Sequence, residues 1–475
     1  MIFLNLKSNQ FLRNISYALS ANLVVLFISV ILNLFVPKYV GVQQYSMWQL
    51  YLFYSNYTGF FPLGWIDGIS LKYAGEEYDD IKKTSLGAQY WILFLTEFVS
   101  VIILLICTNI FVNSGIYRSV YIYSILSIII LVSRGFILII LQSANRIREY
   151  AALSRNDRFI YIFLLVISFF FNAKSFHILI GLDLLSKFII LLWGMYIIRD
   201  LLFKNIHLNN KIFGEIFENI RVGSSLMFSN IASMLISGIP RWFVERKWDV
   251  ETFGKLSLTL NISNLFMVFM NAIGIVLFPI LRRANQNKLS QIYRNIRSVF
   301  VPFTYCLLIF FFPIKFILEI WLPEYSESMS YMGILFPMIV YEGRVSLLIN
   351  TFLKTIRKEK SILYINLLTL VVSVTASILS INVVGNLSLS VFCIMFTIFF
   401  RGFFLELLLF RELDISMNKI ILIETLLTFI FVLCNSLLSE GASLLCYVVF
   451  LLMYLFYSRK NIWLGIQGIK YMLSK

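Results

Sequence analysis

Five basic residues of this chain lie inside long apolar runs: Arg134, Lys187, Lys315, Arg344 and Arg401. A charge in such a run is costly to keep from water and marks a functional site by default. A guanidinium also presents a planar fork of donors that matches carboxylate and phosphate oxygens, so the chemistry these positions offer is anion binding. One arginine stands midway along 128-IIILVSRGFILIILQSANRIREY-150, and 338-MIVYEGRVSLLINTFLKTIRKEK-360 repeats the pattern 210 residues later. Arg134 falls on Arg344, and Arg148-Glu149 falls on Lys358-Glu359. Matching charges in two halves of one chain point to a transporter built from repeats, with its site near the midplane.

Local partners separate the five. Lys187 has Asp183, and Lys315 has Glu319, at the i, i+4 spacing where helix side chains meet, so both pairs are self-neutralised. Arg134 has no acid in its own helix, and Glu342 is two residues from Arg344, where side chains do not face each other. Arg401 and Glu406 lie about 140° apart around the helix axis, and Arg401 has no counterpart in the first half. These three arginines need a partner from another helix, for example Glu97 for Arg134, or from an anionic cargo. Candidate acids for ion coupling or charge pairing are Asp67, set between Gly64 and Gly68, with Glu97, Glu342, Glu406 and Glu424. Polar stripes at helical spacing comprise Asn22, Ser29 and Asn33; Ser229, Ser233 and Ser237; and Ser257, Asn261, Asn264 and Asn271. Asn22, Asn261 and Asn264 are the candidates for sugar hydroxyls, while small polar residues also mediate helix packing in membranes.

The elements that must position these residues are membrane helices. Of 475 residues 59% are hydrophobic and 14% charged, with a mean hydropathy of +0.84. A soluble domain cannot hide so much apolar surface. Apolar periods of about twenty residues predict fourteen spans, near 15–36, 45–66, 87–110, 119–142, 157–173, 177–198, 222–243, 253–279, 299–319, 331–353, 362–383, 387–409, 419–437 and 441–457. The N-terminus and every second loop carry 28 of the 40 lysines and arginines, which places both termini in the cytoplasm. The net charge of +15 is thus a topology signal facing anionic lipid, not a nucleic-acid footprint. Five scattered cysteines without a CxxC pair read as packing residues, and two distant histidines make no metal site. No secretory signal separates from the first span. The tail 458-SRKNIWLGIQGIKYMLSK-475 is either a short amphipathic helix on the membrane surface or frayed.

The repeat has a second test. Residues 16–42 and 224–250 share Ser16/Ser224, Asn22/Asn230, Ser29/Ser237 and Val36/Val244 at an offset of 208. The expected organisation is therefore all-α, with two pseudo-symmetric six-helix lobes around a central cavity. The N-lobe is 1–205 and the C-lobe is 206–412, with two extra helices and a cytoplasmic tail in 413–475. An even number of helices per repeat gives the lobes parallel topology.

The loop 36-VPKYVGVQQYSMWQL-50, its echo 249-DVETFGKLSL-258, the stretch 64-GWIDGISLKYAGE-76 and the helix exit 142-QSANRIREY-150 resemble the Wzx-type polysaccharide flippases. These belong to the MOP superfamily, with the MATE multidrug exporters and lipid II flippases. The family's first loop ends in Tyr-Gly; here Tyr45-Ser46 departs from it, while Phe253-Gly254 keeps the glycine. The resemblance implies alternating access and an undecaprenyl-diphosphate-linked oligosaccharide as cargo in a bacterial cytoplasmic (inner) membrane. Polymerase and chain-length proteins of the same pathway are the partners it suggests.

Such a cargo needs cations for its diphosphate and hydrogen-bonding side chains for its sugars. No Walker A sequence is present, so no ATP site and no cofactor is expected, and an ion or proton gradient is the default drive. A MATE-like multidrug exporter is the alternative; the repeated intramembrane arginine favours an anionic cargo over a cationic one. No loop is large enough for the catalytic apparatus of a membrane-bound polymerase or glycosyltransferase, so no enzyme activity is expected.

Overall fold

In a bilayer, long apolar runs can satisfy their backbone amides only within helices or closed barrels. The computed structural model describes residues 23–112, 115–203, 210–283, 288–416 and 420–473, and among these it is helical with no strand. Two compact units divide the chain, Met1–Ala232 and Ser233–Lys475. Unit 1 holds α1 (Leu23–Val40), α2 (Val42–Ser55), α3 (Trp65–Tyr73), α4 (Lys83–Phe111), α5 (Ile116–Ser143), α6 (Ile147–Phe170), α7 (Phe176–Ile197) and α8 (Arg199–Leu202). Helix α9 (Asn210–Lys247) contributes residues to both units. Unit 2 continues with α10 (Val250–Arg283), α11 (Leu289–Leu307), α12 (Phe311–Trp321), α13 (Ser326–Leu335), α14 (Met338–Gly343) and α15 (Asn350–Thr355). It ends with α16 (Glu359–Ser377), α17 (Leu387–Glu412), α18 (Ile420–Leu437) and α19 (Glu440–Leu473).

Among the described residues ten helices are long and apolar enough to cross a membrane, or eleven if one bent pair counts as a span. This is a multi-pass membrane protein. The expected spans 45–66, 157–173 and 253–279 are not in that set. The first is interrupted: α2 and α3 are separated by a 3-10 turn, Asn56–Phe60, and by Leu63 and Gly64 in the left-handed region. The expected span 331–353 is bent by 50° between Leu335 and Met338. Pro337 sits at that break, where it supplies no N–H donor. Directly after α14 the chain takes a π-helical turn, Arg344–Ile349, a feature that recurs at functional sites.

Glycine spacing explains how α3 is held. A Cβ on Gly68 would lie 2.0 Å from the carbonyl oxygen of Asn219, and one on Gly223 would lie 2.0 Å from that of Gly64. Only hydrogen fits at these positions, so α3 meets the first part of α9 backbone to backbone, the small-residue packing typical of membrane helices. Gln89 of α4 closes the same contact, its Oε1 accepting from Trp65 Nε1 at 2.9 Å and from Asn219 Nδ2 at 3.0 Å.

The tail corrects the sequence reading. It neither lies apart as a surface helix nor frays up to Leu473, because α19 runs unbroken through it. Gly465 and Gly468, which suggested fraying, are the packing face. Their Cβ positions fall 2.2 Å from Ser298 Oγ and 2.0 Å from Asn295 Nδ2 of α11.

Candidate functional site

In unit 1, four helices bring two cations and two carboxylates together. Arg134 of α5 donates from Nη2 to Asp157 of α6 at 2.9 Å. One turn apart on α7, Lys187 Nζ donates to Asp183 Oδ2 at 2.5 Å, the i, i+4 pair expected from spacing. Tyr51 of α2 also donates to Asp183 Oδ2, at 2.9 Å. Ser186 lies between the pairs, its hydroxyl 3.4 Å from Asp157 Oδ1. The expected partner Glu97 is not the one Arg134 takes: α6 places Asp157, the first residue of an expected span, within reach.

In unit 2, Arg344 stands at the start of the π-helical turn and donates from Nη1 to Glu406 Oε2 at 2.7 Å. The same nitrogen lies 3.4 Å from Glu424 Oε2. Arg297 of α11 completes the group. Its Nε donates to Glu406 Oε1 at 2.7 Å, while Nη1 and Nη2 form a fork on Glu424 at 3.0 and 2.8 Å. Tyr293 and Tyr454 add hydroxyl donors to Glu406 and Glu424, each at 3.2 Å. Four charges from α11, the π turn, α17 and α18 therefore sum to zero in a buried setting, with Arg344, Glu406 and Glu424 all 4% exposed or less. A cavity of about 360 Å³ borders the group and is lined in part by Arg294, Arg297, Glu424, Tyr454 and Asn461.

Arg401 of α17 pairs with Glu342 of α14, and its Nη1 donates to Ser233 Oγ at 2.5 Å. Opposite charges two residues apart in sequence thus find different partners: Glu342 takes Arg401 while Arg344 takes Glu406. Pairing leaves donors over. Arg134 Nε, Arg401 Nε, and both Nε and Nη2 of Arg344 are buried without a hydrogen-bond partner. A buried donor left unmade costs about 1–3 kcal/mol, more for a charged group.

The remaining candidates are scattered. Asn22 and the side chain of Asn271 lie outside the described residues. Asn261 is half-buried and Asn264 exposed on α10, whereas Ser257 beside them is buried and accepts from Arg241 Nη2 at 2.8 Å. Ser29 and Asn33 bond back to carbonyls one turn earlier on α1. Asp67 is half-buried in the first turn of α3, where burial raises its carboxyl above the usual aspartate range. Glu97 is buried in the middle of α4, and its Oε2 has no hydrogen-bond partner. Lys315 reaches Glu319 as expected, and Glu440 as well. Two of the cysteines taken as scattered, Cys434 and Cys446, meet with their sulfurs 3.1 Å apart.

Sequence reasoning missed Asp157 and Arg297 as members of buried charge groups, placing Asp157 at the first residue of one expected span and Arg297 two residues before another. The signal was present: Arg297 precedes the apolar 299–303 on a strongly amphipathic helix whose buried side includes Tyr293, Phe300 and Val301.

An inward-facing multidrug resistance MATE family transporter of the MOP superfamily matches with a TM-score of 0.61 at 13% identity, over 84% of this chain and 98% of its own. The fold is that of MOP-superfamily transporters. The lipid II flippase MurJ, in an inward closed conformation, has the same MOP fold and matches with a TM-score of 0.65 at 13% identity. That match covers 94% of this chain and 99% of MurJ. An outward-facing MATE family transporter matches with a TM-score of 0.55, also at 13% identity, over 84% and 95% of the two chains. No protein-family model matches the chain, and no curated protein matches it by sequence.

Proposed function

We propose that this chain is a flippase that carries a lipid-linked oligosaccharide across the cytoplasmic membrane by alternating access, driven by an ion or proton gradient. The observation that carries the proposal is the guanidinium of Arg344. It is buried beside a π turn, neutralised by Glu406 and Glu424, and still holds two donor nitrogens without partners. Its counterpart at an offset of 210, Arg134, keeps one such donor beside Asp157. A diphosphate presents oxygens that fit these donors and that can exchange with the carboxylates as partner. The MOP fold, shared with a lipid II flippase, supports the same reading. Sugar contacts from Asn261 and Asn264, and from Asn22, belong to the proposal.

The alternative, a MATE-like exporter of cations, draws support from a specific feature. Glu342, Glu406, Glu424 and Asp157 neutralise the arginines, so the buried clusters carry no excess of positive charge.

The test is export of surface glycan in a bacterium lacking its own flippase, comparing wild type with Arg344→Lys and Arg134→Lys at matched membrane levels. Lysine keeps the charge and removes the donor fork. Wild type is expected to restore glycan, with Arg344→Lys losing at least about tenfold, the loss of one charged hydrogen bond. If wild type restores no glycan yet raises resistance to cationic drugs, the exporter replaces the flippase. If both lysine variants export at the wild-type rate, the spare donors do not hold cargo.

A further inference from the structure

The acids inside the helices fall into two classes. Asp157, Asp183, Glu342, Glu406 and Glu424 each face a lysine or arginine. Glu97 does not. It sits at the middle of α4, 2% exposed, with no lysine or arginine nitrogen within 4 Å among the described residues and no hydrogen bond to Oε2. Leu93 and Val101, one turn away on either side, are buried with it in the apolar core of unit 1.

The charged groups on the elements packed against α4 have partners other than Glu97, Arg118 of α5 being held by Asn109. On α5, Arg134 is held by Asp157, and Tyr123 contacts His177. At the Lys83 end, Asp200 is taken by Lys83 and Tyr78, Arg199 stacks on Tyr196, and Glu215 accepts from Ser85. That end is 14 residues from Glu97, about 21 Å along the helix. On α4 itself the nearest titratable group towards that end is Tyr90.

An ionised carboxylate without a partner in such surroundings costs several kcal/mol, and the neutral acid avoids that cost. A glutamine of the same shape would fill the site without any charge. An acid there is suited to one task a glutamine cannot perform, namely holding a proton while shielded and releasing it when water arrives. We infer that Glu97 is a proton-exchange site, protonated in the conformation described and deprotonated when unit 1 admits water to α4. It thereby supplies the coupling ion for the proposed flippase, and of the five candidate acids read from the sequence it is the one without an ion pair that lies deep in a span. Glu342 is bound to Arg401, and Asp67 is half-buried at the start of α3.

The experiment uses full-length protein in liposomes and an apolar carbodiimide, which attacks protonated carboxyls in apolar sites; the adduct is located by mass spectrometry. Glu97 is expected to label at low pH. Labelling should fall about tenfold for each pH unit above its midpoint, and it should be absent in Glu97→Gln. In the same liposomes an imposed pH gradient should speed translocation of a fluorescent undecaprenyl-diphosphate disaccharide by wild type and by Glu97→Asp. Glu97→Gln should move it at one gradient-independent rate. Labelling that does not vary with pH, or gradient-driven translocation retained in Glu97→Gln, overturns the inference. If Glu97 titrates but wild type does not move the disaccharide, the flippase assignment fails and the proton site stands.

Discussion

In unit 1, Arg134 has Asp157 to itself and Lys187 has Asp183, whereas in unit 2 Arg297 and Arg344 divide Glu406 and Glu424 between them. The unit 1 pairs touch only through Ser186, and one of them is local to a single helix. The unit 2 group has no local pair; α11, the π turn, α17 and α18 each supply one member. Both sets sum to zero charge, but they should respond differently to damage. Removing one member of a shared group strands two partners, while removing one member of a separate pair strands one. The comparison also recasts α18 and α19, which the sequence presents as an appendix to two lobes. Glu424 of α18 and Tyr454 of α19 are part of the buried group.

The largest effect that could break this contrast is expected from Glu406→Ala, which leaves both Arg297 and Arg344 short of a partner. Loss of one member of a buried ion pair costs about 3–5 kcal/mol. The thermal midpoint in detergent should therefore drop further than for Asp157→Ala, where one arginine is stranded. Equal drops would mean that unit 2 is no more cooperative than unit 1. A smaller effect is expected for the double change Lys187→Met with Asp183→Asn, because an uncharged replacement of a whole buried pair is often close to neutral. If that double variant is as damaging as Glu406→Ala, the unit 1 pair is not separable. The smallest effect concerns the surface group at the start of α4. Burial pushes Asp200 up, but hydrogen bonds from Lys83 and Tyr78 outweigh it and hold the carboxyl below its usual range. A depressed carboxyl contributes stability above its unfolded midpoint, about 3.9, and loses that contribution as pH falls through the lower folded value. Asp200→Asn should thus lower the thermal midpoint slightly at pH 7 and leave it unchanged well below that window, since exposed pairs are worth little.

Much of the architecture was legible from residues alone. Apolar runs of spanning length gave the helices, and the i, i+4 pairs Lys187–Asp183 and Lys315–Glu319 form as spacing requires. The repeat named Arg134 and Arg344 as the charges to follow, and both are buried or nearly so. What went astray was long-range. Arg134 takes Asp157 and not Glu97, Arg297, expected just outside a span, joins the core of unit 2, and the tail becomes the second half of α19. Breaks at Pro337 and at Leu63-Gly64 divide spans that hydropathy presents as whole.

The sequence by itself determined that this chain is helical and apolar, that it carries charge where charge is costly, and which of those charges recur. Hydropathy and helical period are local quantities, averaged over one or a few turns, and the chain states them directly. Only the tertiary structure decided which acid meets which base, because residues 62 to 127 positions apart close the unit 2 group. Such pairing depends on helix rotation and on a π turn that shifts the register at Arg344. The same long-range geometry left Glu97 without a partner, which no count of residues along α4 could have foretold.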